Sequence, residues 1–227
     1  MSACPYPYKH AVGALLYLSL STRPDISFAV GQVAKYSQNP DSTHWDAVTQ
    51  IFAYLNGTKD LGIWIGGSEK GILGYSDADF AGDINDRSST SGTIFFYRGG
   101  PVAWSSKKQN CISLSTTEAE YVAASEATKT AVWLRCLLQD LTGLEERVPL
   151  LCDNQGAVKL VYNPEFHPKT KHISLRYHFI RQAVEEKKIT VDYVESKNQL
   201  ADIFTKPLAG PTFVDMRRRI GVGKVTD

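Results

Sequence analysis

The sequence predicts an α/β fold in which a mixed sheet of five strands is flanked by helices and preceded by a small helical unit. Two patterns support this prediction. Between residues 71 and 205, strand-like and helix-like segments follow in the order βββαβαβα, as expected for a sheet with helices on its faces. Before residue 58, in contrast, the long apolar patterns have helical spacing. The 227 residues are therefore expected to form two structural units.

The first unit, residues 1–66, is predicted to contain three helices, at residues 8–21, 24–37 and 42–57. Pro24 suits the first turn of the second helix, and Gly57 suits the C-cap of the third. Three polar residues of this unit are interpreted as capping or surface groups: Asp25, His44 and Asp46. A short strand at 61–65 leads into the glycine-rich linker 66–71, where the boundary between the units is predicted.

The second unit, residues 71–208, supplies the predicted sheet. Its strands are expected at residues 71–79, 93–97, 102–105, 148–152 and 189–194, and its helices at residues 115–141, 154–161, 174–187 and 199–205. Tight connections make the first three strands an antiparallel meander. The fourth strand is wholly apolar, which is expected inside a sheet covered on both faces. The remaining residues, 209–227, are predicted to form a basic helix or tail with a solvated arginine-rich face.

Composition and motifs exclude several classes of protein. The net charge of +1 does not mark a nucleic-acid binder, so such a role depends on local patches. No GxxxxGK[ST], HExxH or GxSxG motif occurs, which disfavours P-loop nucleotide hydrolysis, zinc proteolysis and serine hydrolysis. The four cysteines lack metal-ligand spacing and are interpreted as buried or incidental thiols of a reducing compartment. With no signal peptide and no membrane-spanning apolar run, we expect an intracellular soluble protein without a membrane partner.

The strongest indication of chemistry is the acidic end of the first sheet strand, in the sequence GYSDADF. A strand that ends in Asp77 and Asp79 can hold a carboxylate at the rim of a sheet, where metal and water can reach it. The apolar stripe of the long helix places Glu120 on the inward face, while Glu118 lies about 200° round the helix. An inward carboxylate is costly unless it is paired or bound to metal, although position 120 could also lie past the edge of the core.

Two further carboxylates belong to the same unit. Asp153 comes directly after an apolar strand, at the end where α/β sheets bind ligands, although a capping or turn role is the simpler interpretation of this residue alone. Ser196 and Gln199 fit a capping box, which predicts a helix with Asp202 in its second turn, ordinarily a surface position. Together, however, the carboxylates match the oxygen ligands that two divalent ions need for phosphodiester hydrolysis.

Six segments of this unit carry a resemblance to a known family. They are LGYSDADFAGD (73–83), RSSTSG (87–92), LSTTEAEY (114–121), CDN (152–154), KHISLRYHFIR (171–181) and NQLADIFTKPL (198–208). These segments resemble the ribonuclease H domain of Ty1/copia-type retrotransposon Pol polyproteins. Three segments of the first unit resemble the end of the reverse transcriptase of the same family: VGALLYL (12–18), TRPDI (22–26) and HWDAV (44–48). The resemblance therefore covers nearly the whole chain.

The resemblance implies a ribonuclease H-like fold and cleavage of the RNA strand of RNA/DNA hybrids, with two Mg²⁺ ions, or Mn²⁺, as cofactors. It identifies the catalytic and metal-binding residues as Asp77, Glu120, Asp153 and Asp202. Asp79 is a fallback ligand, because it shares the strand face of Asp77. The implied partners are the hybrid and the reverse-transcriptase polymerase domain of the same polyprotein. The helical unit would be the thumb or connection of that polymerase, and the expected location is the cytoplasm, with the nucleus in part.

Substrate recognition is expected to use shape and backbone contacts, because the reaction must be independent of base sequence. The candidate contacts, each of which can equally be a solvated loop residue, are Arg87, Ser88, Ser89, Lys107, Lys108, Lys169, Lys171 and His172. Residues 195–198 lack the histidine that many ribonucleases H carry before the last aspartate, and no polymerase YxDD motif occurs. The alternative functions are a non-catalytic tether that binds nucleic acid and a DNA-directed nuclease of related fold.

Overall fold

A computed structural model describes the chain at residues 5–69, 71–143, 145–163 and 171–224, without the side chains of residues 171–175 and 177. The chain divides into two units. The first comprises the residues up to Trp64 together with those from Pro207 onward, and the second comprises Ile65–Lys206. The C-terminal segment that the sequence analysis set apart therefore joins the first unit. Within the described residues, no helix is both long and apolar enough to cross a membrane.

The described residues contain seven α-helices and seven strands, and each predicted helix or strand has a counterpart among the regular segments. The helices are α1 (Tyr8–Ser21), α2 (Ser27–Ala34), α3 (Ser42–Asn56), α4 (Thr116–Thr142), α5 (Gln155–Tyr162), α6 (Lys171–Glu185) and α7 (Gly210–Arg219). The strands are β1 (Leu61–Ile63), β2 (Ile72–Asp79), β3 (Thr90–Tyr97), β4 (Gly100–Lys108), β5 (Val148–Cys152), β6 (Ile189–Tyr193) and β7 (Val222–Lys224). Short 3₁₀ helices lie at Pro24–Ile26, Ser196–Asn198 and Leu200–Phe204.

In the first unit, α1, α2 and α3 pack around an apolar core, and β1 pairs with β7 in antiparallel register. Leu15 and Val48 lie in this core with no exposed surface. The prediction that Asp25 is a capping or surface group is wrong. Its buried carboxylate accepts hydrogen bonds from the Arg23 guanidinium at 2.8 and 3.0 Å and from the Tyr54 hydroxyl at 2.6 Å. These donors satisfy a charge that would otherwise be costly to bury.

The second unit contains the predicted mixed sheet, with strand order β4-β3-β2-β5-β6. β2, β3 and β4 form the antiparallel meander, whereas β5 runs parallel to β2 and β6 runs parallel to β5. Buried alanines of α4, among them Ala124 and Ala127, pack with Phe95 and Leu150 of the sheet. The small side chains let this helix approach the sheet closely. The mixed α/β architecture predicted from the sequence is confirmed.

A glycine in β3 lets another segment approach the sheet. Gly92 is paired in register with Asp77 of β2. A Cβ atom at Gly92 would lie 2.7 Å from Thr205 Cγ2 and 2.8 Å from the carbonyl oxygen of Ala201. The bare backbone of Gly92 therefore allows the 3₁₀ helix Leu200–Phe204 to lie directly against the strand next to Asp77.

We expect Gly92→Ala to destabilise the second unit by about 1–3 kcal/mol, because the added methyl group overlaps a backbone carbonyl and two side chains. Urea denaturation measures the change in the free energy of unfolding. Gly223→Ala is the control, because nothing lies within 4 Å of the Cβ position of this other strand glycine. Its effect on the first unit is expected to stay within about 0.5 kcal/mol. Equal losses in the two variants would contradict the close contact at Gly92.

The segment that carries the last predicted ligand differs from the prediction. Instead of a capping box between Ser196 and Gln199 that starts an α-helix, the buried Gln199 side chain donates from Nε2 to the carbonyl oxygen of Ser76 at 2.9 Å. Its Oε1 accepts a hydrogen bond from the N–H of Ala201 at 3.1 Å. The chain therefore forms the 3₁₀ helix Leu200–Phe204, anchored to β2. Sequence pattern missed this contact because its two partners are 123 residues apart.

Candidate active site

Strand β2, which lies between β3 and β5 in the middle of the sheet, holds two of the acidic candidates. Asp77 is 4% exposed, and its Oδ2 accepts a hydrogen bond from the Thr205 hydroxyl. Asp79 ends the strand and is half-buried. Its carboxylate lies against Gly82, where a Cβ atom would be 1.6 Å from Oδ2. The carboxylate of Asp79 is thus turned towards the following loop, whereas that of Asp77 is held by Thr205.

Helix α4 brings one carboxylate to the sheet and keeps another at its own terminus. Its N-cap, Ser115, accepts a hydrogen bond from the N–H of Glu118 at 3.1 Å. The Glu118 carboxylate in turn accepts from the N–H of Leu114 at 2.7 Å, so it serves the helix end. Glu120, in the second turn, is only 6% exposed. The buried face therefore carries Glu120 rather than Glu118, as the apolar stripe predicts.

The end of strand β5 meets the start of α4. Asp153 follows the strand directly and is half-buried. The helix-capping role falls to Asn154, whose side-chain oxygen accepts from the N–H of Ala157 at 3.0 Å. The buried Cys152 has its Sγ 3.7 Å from Glu120 Oε2. One ligand atom from each of Glu120, Cys152 and Asp153 lies within 4.8 Å of the other two.

Asp202 is not the surface residue that its sequence context suggested. It lies in the 3₁₀ helix Leu200–Phe204 and is 7% exposed. Lys206 forms an ion pair with it, with Nζ 3.0 Å from Oδ1. Because a buried carboxylate is costly without a positive partner, Oδ1 of Asp202 is suited to a cation, and the Lys206 ammonium is the cation beside it in this structure.

The pKa values of these carboxylates are raised by burial and by the charges of their neighbours. The pKa of Glu120 is raised to about 10, first by burial and then by the charges of Asp77 and Asp153. The pKa of Asp202 is raised to about 7, first by burial and then by the charge of Asp77. Burial and then Asp77 also raise the pKa of Asp79. In the absence of a divalent cation, Glu120 and Asp202 are therefore driven to retain their protons.

The donor atoms fit hard divalent cations. Carboxylate oxygens are the ligands that Mg²⁺ and Mn²⁺ prefer in proteins. A bound cation would offset the burial, and after it the charges of Asp77 and Asp153, that raise the pKa of Glu120. The sulfur of Cys152 is a poorer donor, since burial raises the pKa of this thiol and keeps it protonated. The donors available to a cation here are therefore carboxylate oxygens, with a neutral thiol beside them.

The first group of predicted substrate contacts lies in the loop between β2 and β3. Arg87 is exposed and has a positive φ of 57°. Ser88 is half-buried next to it. Ser89 is buried, and its hydroxyl oxygen accepts a hydrogen bond from the N–H of Ala81 at 3.2 Å. Ser89 thus holds the loop together, while Arg87 presents its side chain to solvent.

The other predicted contacts with a described side chain lie at the end of β4. Lys107 and Lys108 are both exposed there, and Lys108 forms an ion pair with Asp86. This pair lowers the pKa of Asp86 to about 2, with help from a hydrogen bond to Ser88. Three further predicted contacts lie outside the residues or side chains that the structure describes: Lys169, Lys171 and His172.

Three residues around the site were not predicted from the sequence: Gln199, Thr205 and Lys206. Gln199 and Thr205 tie the 3₁₀ helix to neighbouring residues of β2, Ser76 and Asp77. Nothing in the local sequence indicates these pairings. Lys206 did have a signal, because it follows Asp202 by four residues, a spacing that places opposite charges side by side on a helix.

Comparison with known proteins identifies relatives of this sequence. No protein-family model matches the chain. It is 42% identical, over 95% of its length, to the retrovirus-related Pol polyprotein from transposon TNT 1-94 of Nicotiana tabacum. It is 43% identical, over 97% of its length, to the corresponding polyprotein from transposon RE2 of Arabidopsis thaliana. The chain spans only 16% and 15% of the length of these two relatives.

A solved structure shares the fold at low sequence identity. The foamy viral protease-reverse transcriptase in complex with RNA/DNA hybrid has a TM-score of 0.55 and 17% identity, covering 89% of this chain and 26% of that one. The second unit has the mixed sheet of five strands that the resemblance to ribonuclease H predicted. Motifs and relatives agree: over almost its whole length, the chain is homologous to one segment of the retrovirus-related Pol polyproteins of plant transposons.

Proposed function

We propose that the second unit is a metal-dependent ribonuclease H that cleaves the RNA strand of RNA/DNA hybrids during retrotransposon reverse transcription. The observation that carries the proposal is a set of interacting carboxylates from β2, α4, the turn after β5 and the 3₁₀ helix Leu200–Phe204: Asp77, Glu120, Asp153 and Asp202. The relatives are Pol polyproteins, and the structure of like fold is bound to an RNA/DNA hybrid. The partners in this proposal are the hybrid and the polymerase domain of the same polyprotein.

In this proposal the four carboxylates hold two divalent ions, Mg²⁺ or Mn²⁺. Such ions, when bound, supply an activated water molecule and stabilise the leaving oxygen of the phosphodiester. Asp77 is the charged neighbour of both Glu120 and Asp202, and Thr205 orients it through a hydrogen bond. Glu120 and Asp202 give up their protons as cations bind, because a cation favours the ionised form. Asp77, Glu120 and Asp202 are each less than 10% exposed, which limits bulk water around these three carboxylates.

Recognition of the hybrid would be independent of base sequence. Side chains at the loop after β2 and at the end of β4 would contact phosphates and 2′-hydroxyls. The proposed contacts among the described side chains are Arg87, Ser88 and Lys107, while the buried Ser89 would hold the loop that presents them. Lys171 and His172, whose side chains lie outside the described part of the structure, stay candidates from the sequence alone.

A cleavage assay on three labelled substrates tests the function. An RNA/DNA hybrid, an RNA duplex and a DNA duplex are each incubated with and without Mg²⁺. We expect cleavage of the RNA strand of the hybrid, only with Mg²⁺, to leave 3′-hydroxyl and 5′-phosphate ends. Binding of the hybrid without cleavage would instead indicate a non-catalytic tether. Cleavage of the DNA duplex would indicate a DNA-directed nuclease.

A further inference from the structure

A lysine outside the proposed ligand set lies beside the carboxylates. Lys206 is the last residue of the second unit and follows the 3₁₀ helix that carries Asp202. Its Nζ lies 3.0 Å from Asp202 Oδ1, and its side chain is 44% exposed. The charges of Asp77 and Asp153 also act on this ammonium group. Lys206 therefore feels the negative charge of the carboxylates and is also accessible from solvent.

Charge balance indicates what this ammonium group can do. Four ionised carboxylates and two divalent ions sum to zero, and a phosphodiester then adds about one negative charge. The ammonium of Lys206 would compensate that charge when the substrate is present. In the ion-free protein, the same group compensates Asp202, which is otherwise buried. One lysine can therefore serve two states of the site, provided that it can change partners.

The geometry of the ion pair suits such a change. Asp202 belongs to a segment that the Gln199 side chain anchors to β2, so its carboxylate is held in place. Lys206 pairs with Oδ1 of Asp202, whose side chain is 10% exposed, while the side chain of Lys206 is 44% exposed. Because a buried carboxylate without a partner is costly, the ammonium leaves this pair only when a divalent ion replaces it at Oδ1. A lysine ammonium is a compact charge on a flexible stem, so it can then turn to another acceptor.

We propose that Lys206 is a further catalytic residue of this site, which pairs with Asp202 in the ion-free protein and with a non-bridging phosphate oxygen when ions and hybrid are bound. The proposal rests on the proposed function. In the ion-free protein, Lys206 competes with divalent ions for Asp202 Oδ1. In the loaded complex, its ammonium stabilises the negative charge that the phosphate carries in the transition state.

Lys206→Met tests both parts, because methionine keeps much of the apolar stem and removes the charge. Without hybrid, isothermal titration should show Mn²⁺ binding tighter by about threefold to tenfold, since the competing cation is gone. With hybrid and Mg²⁺, kcat should fall by about tenfold to a hundredfold and KM should change by less than about threefold. A purely structural role would weaken ion binding and cleavage together. Lys206→Arg keeps the charge and should retain most of kcat.

Lys188→Met is the matched control. Lys188 forms a similar ion pair, with Nζ 2.5 Å from Glu186 Oε2 and a side chain that is 36% exposed. It precedes β6, whereas Asp153 follows the opposite, carboxyl end of the parallel neighbour β5. Neither Mn²⁺ affinity nor kcat should change in this variant.

The outcomes separate this inference from the proposed function. Wild-type cleavage with an unchanged kcat in Lys206→Met would overturn the role of Lys206 and leave the ribonuclease assignment standing. Unchanged or weaker Mn²⁺ binding in Lys206→Met would overturn the competition for Asp202. Failure of the wild-type chain to cleave any hybrid would overturn the proposed function and the phosphate contact together, while the Mn²⁺ titration still decides the ion-free state.

Discussion

Asp77→Asn is expected to lower the rate of hybrid cleavage by at least about a thousandfold while the second unit remains folded. The charge of Asp77 acts on Glu120, Asp79 and Asp202. An amide at this position removes one proposed metal ligand and lowers the negative charge that attracts the ions. The amide oxygen can still accept the hydrogen bond from the Thr205 hydroxyl. Initial rates on a labelled hybrid with Mg²⁺ measure the loss.

Asp140→Asn is the control for this substitution. Asp140 is exposed near the C-terminal end of α4, about 30 Å along the helix from Glu120, and its variant should cleave at the wild-type rate. Thermal melting in EDTA should show Asp77→Asn to be at least as stable as the wild type, because a repulsive charge has been removed. Wild-type activity in Asp77→Asn, or in Asp153→Asn, would contradict the assignment of these residues to the metal site.

The parts of the site that the sequence could predict depend on local periodicity. Glu120 was distinguished from Glu118 because the helical repeat places only one of them on the apolar stripe, and the structure buries that one. The order of strands and helices follows from the same kind of pattern. Strand alternation could not separate Asp77 from Asp79, because both lie on one face. They differ in contacts with Thr205 and Gly82, which the alternation does not encode.

The parts that could not be predicted depend on contacts between distant residues. The anchor of Gln199 on Ser76 spans 123 residues, and the hydrogen bond from Thr205 to Asp77 spans 128. Local propensity instead favoured an ordinary helix with Asp202 at its surface. Only the fold shows that Gly92 clears the space into which this segment packs. The resemblance to a known family supplied Asp202 as a ligand, and the structure explains how a buried, anchored segment carries it.

The ion-free protein is expected to lose about 4–6 kcal/mol of stability between about pH 6 and about pH 9. The pKa of Glu120 is raised in the folded protein from 4.5 to about 10, by burial first and then by Asp77 and Asp153. The native state therefore binds a proton that the unfolded chain has already released. This contribution to stability is complete below about pH 4.5 and is lost as the pH rises towards 10. Asp202, with a pKa of about 7, adds to the loss in the lower part of this range.

Glu120→Gln isolates the main source of this pH dependence. Glutamine stays neutral, so in EDTA at high pH the variant should be more stable than the wild type, and its stability should vary less with pH. Mg²⁺ should make the wild type the more stable of the two, because it binds the ionised carboxylate of Glu120 and stabilises the folded state.

Glu118→Gln is the control. The Glu118 carboxylate accepts a hydrogen bond from the N–H of Leu114 at the end of the helix, and its loss should leave the wild-type pH slope unchanged. Urea denaturation, with hydrogen exchange of the β2 amides to follow the second unit, measures these differences. Equal slopes in wild type and Glu120→Gln would mean that Glu120 does not hold its proton in the ion-free protein, and the charge repulsion that makes this site attractive to cations would have to lie elsewhere.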